Sequence, residues 1–415
     1  MTENPEQLPA KFGPYWLYEI IGKGGMAEIF LAKTFTALGT ERQCVIKRIL
    51  PQLNADVAFC EMLIKEAKLC ARLSHANIVQ TYELGQIEDQ FYIAMEYVEG
   101  VDLNRLLGLL SRLGTALPLQ FALYVIVEAL RGLDYAHRLS DSTGAPLGII
   151  HRDVSPTNVL ISTEGEVKLC DFGIAKVAFD DLEGEQRLDA YHLKGKVAYM
   201  APEHIEGKPI DRRADLYAAG ILLWELLQGR RLYKSKDEDE TLRRARAAEV
   251  PPIEDRGFKD HAALAAIAAK ALARDPADRY QTGGEFIRAL EDYVHATQQT
   301  MSQLKFADFL MENFGESLLQ QRRERERHLG ELMRLRGEDE ATRMTQVRAD
   351  ITASLLHDDE DEEPAEPAAA AAAPIEAPAF LSELAKRGSP VPWIVGISVA
   401  VVAAAAIALK LFGAF

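Results

Sequence analysis

Three side chains in this sequence have the types and spacing needed to set a hydroxyl group against a phosphoryl group. Asp153 is followed five residues on by Asn158 and, thirteen residues after that, by Asp171. A carboxylate can accept the hydroxyl proton, while an asparagine and a second aspartate can offer oxygen ligands to Mg²⁺. The first two lie in His151-Arg152-Asp153-Val154-Ser155-Pro156-Thr157-Asn158, and the third opens Asp171-Phe172-Gly173. Between them, Val159-Leu160-Ile161, a turn at Ser162 to Gly165 and Val167-Lys168-Leu169-Cys170 read as a hairpin that sets Asp171 across from Asn158.

Two upstream features could serve the same chemistry. Gly22-Lys23-Gly24-Gly25-Met26-Ala27 falls between strand-like runs, where glycines let backbone N–H groups approach phosphate oxygens. Any tight hairpin could share that composition. Lys47, flanked by Ile46 and Ile49, is an expensive place for a charge unless it is paired. Glu66, on the following helix, is its natural partner, and a lysine so held would contact the α- and β-phosphates. The bland alternative is two unrelated surface charges.

The elements that must position these groups change character along the chain. Tyr18–Ile21, Ala27–Leu31, Cys44–Leu50, Ile78–Tyr82 and Phe91–Tyr97 read as strands, and Val57–Leu73 has helical spacing. From Asp102 the pattern is mostly helical: 102–111, 118–138, 214–228, 238–248, 260–273 and 283–295. A strand-rich first hundred residues before a helix-rich remainder predicts an α+β protein of two lobes with a cleft between them. Ser140 to Gly148 is a turn-rich loop inserted before the His151 motif.

A net charge of −16 argues against nonspecific nucleic-acid binding, which needs a basic surface. Cys44, Cys60, Cys70 and Cys170 show no metal-ligand spacing and sit among apolar neighbours, as reduced core thiols would. Met1 to Lys11 is polar and lacks the apolar stretch of a secretory signal.

The set from His151 to Asn158, Asp171-Phe172-Gly173 and Ala201-Pro202-Glu203, in this order and spacing, resembles the eukaryotic-like (Hanks-type) serine/threonine protein kinases over about residues 14–297. The inserted loop and Gly195-Lys196-Val197-Ala198-Tyr199-Met200 are most similar to the bacterial branch abundant in myxobacteria. The resemblance implies a two-lobed protein-kinase fold, ATP with Mg²⁺ (or Mn²⁺) as cofactors, and protein serine or threonine hydroxyls as substrates. It implies a nucleotide site formed by Ile21, Gly22, Lys23, Gly24, Gly25, Met26, Ala27, Ile29, Lys47, Glu66 and Asp171. Met95 would be the gatekeeper, Glu96 and Val98 the adenine-binding hinge, and Asp102 the ribose contact. Asp215 would brace the catalytic loop, and Glu203 with Arg279 would form a buried ion pair.

Two departures from the family pattern are linked in this reading. The family usually has lysine at Ser155 and threonine at Lys196. The expectation is that Lys196 returns its amine to the vacated site while Ser155 supplies the hydroxyl, so both join Asp153 and Asn158 as catalytic residues. The segment between Gly173 and Ala201 has no serine or threonine but carries Asp180, Asp181, Glu183, Glu185 and Asp189. Fixed negative charge there predicts basal activity without loop phosphorylation. The alternatives are a pseudokinase scaffold that binds nucleotide or partners, and a small-molecule phosphotransferase.

Beyond residue 297, Phe306, Phe309, Leu310 and Phe314 form an apolar helical face fit to dock on the large lobe. Arg322 to Arg327 alternates Arg and Glu and reads as a solvated helix, with a coiled coil through Leu329, Leu332 and Leu335 as the alternative. The expected order is an N-terminal segment 1–13, the kinase domain, a helical extension 298–356 and a disordered acidic, then Ala/Pro-rich tether 357–390. A transmembrane helix 391–410 and a tail 411–415 follow. Val391 to Leu409 is nineteen uncharged residues, about 28 Å of helix, flanked by Lys386-Arg387 and Lys410. The expectation is an inner-membrane protein with a cytoplasmic kinase domain. The oligomeric state stays open, a dimer included.

Overall fold

The computed structural model describes residues 8–35, 41–54, 57–172, 197–235, 237–300 and 302–357. Residues 1–344 form one compact unit and 345–415 a second, of which only a helix end is described.

Strands built from alternating and doubly apolar runs make the small lobe. They are β1 (Ala10–Phe12), β2 (Tyr15–Lys23), β3 (Ala27–Phe35), β4 (Glu41–Ile49), β5 (Thr81–Ile87) and β6 (Gln90–Met95). Their order is β1-β2-β3-β4-β6-β5, every neighbour antiparallel. In β3 the consecutive residues Phe30 and Leu31 are both buried, although neighbours on a strand point to opposite faces. Phe30 packs with Leu17, Ile46 and Tyr92, and Leu31 with Tyr18 and Val45. The small-lobe sheet is therefore covered on both sides. Helix α1 (Pro51–Asn54) precedes α2 (Val57–Cys70), which buries Leu63, Ala67 and Cys70 at helical spacing.

The chain then crosses residues 96–99 and enters β7 (Gly100–Asp102), which pairs with β8 (Val159–Ser162) and, through it, β9 (Val167–Leu169). A Cβ at Gly100 would collide with the Ile161 carbonyl, so this approach of β7 to β8 requires glycine. The large lobe is helical: α3 (Leu103–Arg112), α4 (Leu119–Arg138), α5 (Pro202–Ile205), α6 (Arg212–Gln228), α7 (Glu238–Ala247), α8 (His261–Ala271) and α9 (Gly283–Thr297). Its centre is α6, where Ala214 through Gln228 are all buried. Such a helix is apolar on every side because α4 and α8 pack around it.

Two sequence expectations need correction. Ile78 to Tyr82 is not one strand: Ile78 makes an isolated bridge to Leu169, and β5 starts at Thr81. The reason is that Val79 N–H donates to the Leu169 carbonyl, drawing this apolar stretch toward the large lobe. The extension is one helix, α10 (Gln303–His357), in which Arg322, Arg323, Glu326 and Arg327 are exposed as a solvated helix would have them, but Arg325 is not. Arg325 is bound to the small lobe, and Leu332 is fully buried there rather than in a coiled coil. Phe306, Leu310 and Phe314 do pack on the large lobe, Phe306 stacking on Phe121 at 5.1 Å between centroids. Among the described residues no helix is long and apolar enough to cross a membrane; residues 391–410 lie outside them.

Candidate active site

The β2–β3 turn brings Gly22 opposite Ile29 and Lys23 opposite Glu28. Gly24 N–H donates to the Ala27 carbonyl at 2.9 Å, and Leu50 N–H donates to the Met26 carbonyl at 3.0 Å, tying the turn to the end of β4. Gly25 has open space where a Cβ would be, and Ile21 is exposed at the same end of the sheet. Ala27 is buried, so its methyl is absorbed by the core.

Lys47 sits on β4 opposite Ile29 and reaches across to the large lobe, where its Nζ lies 2.6 Å from Asp171 Oδ1. Burial pushes the Lys47 ammonium down, but the attraction of Asp171 outweighs it and the net shift is upward. Asp171 is therefore a partner of Lys47 among the described residues. Glu66 lies on α2, but its side chain is outside the described residues.

The residues of the loop before β8 are placed by packing beneath the hairpin. Asp153 is buried, with its N–H donating to His151 Nδ1. Asn158 Nδ2 donates to the Asp153 carbonyl at 2.8 Å, and Cys170 N–H donates to the Asn158 carbonyl. These bonds fix the amide and hold Asp171 beside it. Arg152 and Asp171 both have left-handed backbones, at φ 60° and 55°. Such strain in non-glycine residues is sustained only where surrounding structure imposes it.

At Arg152 that imposition comes from Asp215 on α6. Its carboxylate accepts from His151 N–H (2.7 Å), Arg152 N–H (2.8 Å) and His137 Nε2 (2.7 Å). Burial raises its pKa, but these bonds and the two histidines carry the balance downward. His151 lies against Phe172 at 4.3 Å between ring centroids, tilted by 35°, and burial holds its imidazole below 6.5 against the pull of Asp215, Asp153 and Asp171. An unfolded His151 takes up a proton near 6.5 while the folded one resists it. Its contribution to stability is thus complete above that pH and lost as pH falls below it. Melting curves between pH 7 and pH 5 should show a decline of at most about 1.4 kcal/mol per pH unit from this group. His151→Asn should flatten that part of the curve; an unchanged slope would reject the assignment.

Met95 ends β6 between Val45 and Thr81, half-buried. Glu96 N–H donates to the Gln80 carbonyl, and the Glu96 side chain pairs with Lys168 on β9 at 2.9 Å. Val98 lies in the crossing segment, and Asp102 caps α3 by accepting from Arg105 N–H at 2.9 Å. Ser155 is buried, its Oγ 3.0 Å from Thr157 Oγ1. Thr157 has no part in the expected site, although its hydroxyl stands only two residues from Ser155 in the sequence. Lys196, and with it the expected exchange with Ser155, lies outside the described residues. A cavity of about 380 Å³ opens beside the loop, lined by Ser155, Thr157, Val197, Tyr199, Glu225 and Lys234 among others.

Among the described residues no group of three or more His, Cys, Asp or Glu could hold a metal. The two expected ligands, Asn158 and Asp171, are oxygen donors of the kind that suits Mg²⁺, a cation often bound by one or two protein groups plus phosphate oxygens. Residues 15–291 match the protein kinase domain family. The chain belongs to that family. The tyrosine-protein kinase MasK of Myxococcus xanthus is 41% identical over 314 residues, covering 75% of this chain and 48% of the relative. A probable serine/threonine-protein kinase PknB of Bifidobacterium longum is 34% identical over 313 residues, covering 71% and 41%. The chain spans less than half the length of these two kinases. The crystal structure of the Mycobacterium tuberculosis PknI kinase domain superposes with TM-score 0.51 at 27% identity, covering 68% of this chain and 98% of that one. The two-lobed kinase fold, the hinge crossing and the kinase relatives agree.

Proposed function

We propose that this protein kinase transfers the γ-phosphoryl group of ATP to serine or threonine hydroxyls of proteins, in bacterial signalling at a membrane. The observation that carries the reading is the meeting of Lys47, Asp171, Asn158 and Asp153 where the lobes face each other. Mg²⁺-ATP, when bound, supplies the phosphoryl group and neutralises its charge. Asn158 and Asp171 would hold the metal, and Lys47 would give up Asp171 for phosphate oxygens. The β2–β3 turn and Ile21, Ile29 and Met95 would enclose the nucleotide, with Glu96, Val98 and Asp102 at its base and ribose. Asp153 accepts the proton of a hydroxyl presented from the cavity beside Ser155, which a polypeptide can enter. Ser155 orients that hydroxyl together with Thr157, and Lys196 would add a cation. The apolar segment from Val391 supports a membrane tether for the kinase domain.

Serine/threonine preference rests on relatives such as the Bifidobacterium kinase, and the Myxococcus relative, by its name, favours tyrosine. A phosphosite map of the chain after incubation with Mg-ATP decides between them. Phosphoserine and phosphothreonine are expected; phosphate confined to tyrosine would overturn the preference.

A further inference from the structure

Helix α10 lies outside the segment that matches the kinase family, yet one stripe of its surface touches both lobes and the crossing between them. Phe306, Leu310 and Phe314 pack on the large lobe. Arg322 stands 3.8 Å from Glu99 in the crossing segment. Arg325 donates to the Tyr97 hydroxyl at 2.6 Å and lies 3.4 Å from Glu19 on β2. Leu332 is fully buried with Tyr18, Leu31 and Val45, with Met95 and Tyr97 packed against the same group, and Arg336 lies over the Phe35 ring at 3.9 Å. Steps of three, four, seven and eight residues keep these contacts on one face for about 45 Å of helix.

The small-lobe patch under Leu332 is not remote from the nucleotide site. Leu31 and Val45 are two residues from Ile29 and Lys47 on their strands, so they share the sheet face that bears those residues. Two lobes joined by a short crossing rotate about it unless something else ties them together. With α10 seated, Lys47 still meets Asp171 across the cleft, so the docked helix is compatible with lobes close enough to share a ligand. Arg325 takes the Tyr97 side chain, whereas adenine would use backbone groups of Glu96 and Val98.

We propose that α10 is an intramolecular strap that holds the lobes at the angle at which nucleotide binds, with Arg325 and Leu332 as its positioning residues on the small lobe. The strap lowers the ordering cost of closing on a ligand, so its effect falls on nucleotide affinity rather than on the phosphoryl-transfer step. The proposal rests on the nucleotide reading of the cleft, and its test separates the two.

The test uses the full chain with Arg325→Ala, Leu332→Ser and Tyr97→Phe, measuring Mg-ADP binding by calorimetry, KM and kcat for ATP, and hydrogen exchange of residues 96–99. Coupling of this kind is worth roughly five- to tenfold in affinity. Arg325→Ala and Leu332→Ser should each weaken Mg-ADP and raise KM by that factor, with kcat at saturating ATP within twofold. Arg325→Ala and Tyr97→Phe should combine to less than the product of their separate effects, because they remove one contact. Exchange at 96–99 should quicken in both helix variants. Affinity unchanged within twofold, or tighter, with a well-folded variant overturns the strap. If the unaltered chain fails to bind Mg-ADP, the nucleotide reading falls instead, and unchanged exchange at 96–99 would then overturn the strap by itself.

Discussion

Asp153→Asn should lower phosphoryl transfer by about two to four orders of magnitude while leaving the fold and nucleotide binding intact. The size follows from what the substitution removes. An amide cannot accept the proton of an attacking hydroxyl, and a positioned general base contributes about 10²- to 10⁴-fold. The fold should survive because two of this residue's loop contacts use its main chain. Its carbonyl accepts from Asn158 Nδ2, and its N–H donates to His151 Nδ1. Asparagine keeps both and has nearly the same volume. The measurement is incorporation of phosphate from Mg-ATP alongside a melting curve and Mg-ADP affinity. Turnover within threefold of the unaltered chain would remove Asp153 from the chemistry. Absence of turnover in the unaltered chain itself would favour the pseudokinase alternative.

How much of this was legible in the residues depends on the range of the interaction. The hairpin between Asn158 and Asp171 could be read because its spacing is local and its turn residues are explicit. The two-lobed plan followed from a change in hydrophobic period near Asp102. Pairing across long sequence separations was harder. Lys47 plainly needed a partner, but nothing local to it points to Asp171, which is 124 residues away and bonds it in the structure. The role of α10 was least visible. Arg322 to Arg327 has the composition of a solvated helix, and only the hydroxyl of Tyr97 and the carboxylate of Glu19 make Arg325 an interface residue. A long side chain with a charged head looks the same in sequence whether it snorkels over a neighbour or reaches into water. One clue was available in β3, where adjacent apolar residues imply cover on both faces of the sheet. Leu332 supplies part of that cover.

Arg279→Ala should be among the most destabilising single changes in the described part of the chain, at about 3–5 kcal/mol. Arg279 is almost wholly buried, and its guanidinium makes five hydrogen bonds. Two are parallel bonds to Glu203, at 2.7 and 2.8 Å, and three go to the carbonyls of Ala273, Arg213 and Arg274. Its face also lies over Tyr217 at 4.5 Å. Removing it leaves the buried Glu203 carboxylate and three carbonyls without their donor. The cost comes from those stranded groups more than from lost attraction. It follows that Arg279→Met combined with Glu203→Gln should cost less than Arg279→Met alone, since the second change removes the orphaned charge. Arg279→Lys should rescue poorly, because an ammonium cannot offer two parallel bonds to one carboxylate while also reaching three carbonyls. Thermal melting of the full chain measures all four variants, with the alanine variant expected about 10 °C below the unaltered protein. A loss under about 1 kcal/mol in Arg279→Ala would mean that water or a neighbour satisfies Glu203. The pair would then be a solvated contact rather than the fastening of α5 to the segment between α8 and α9.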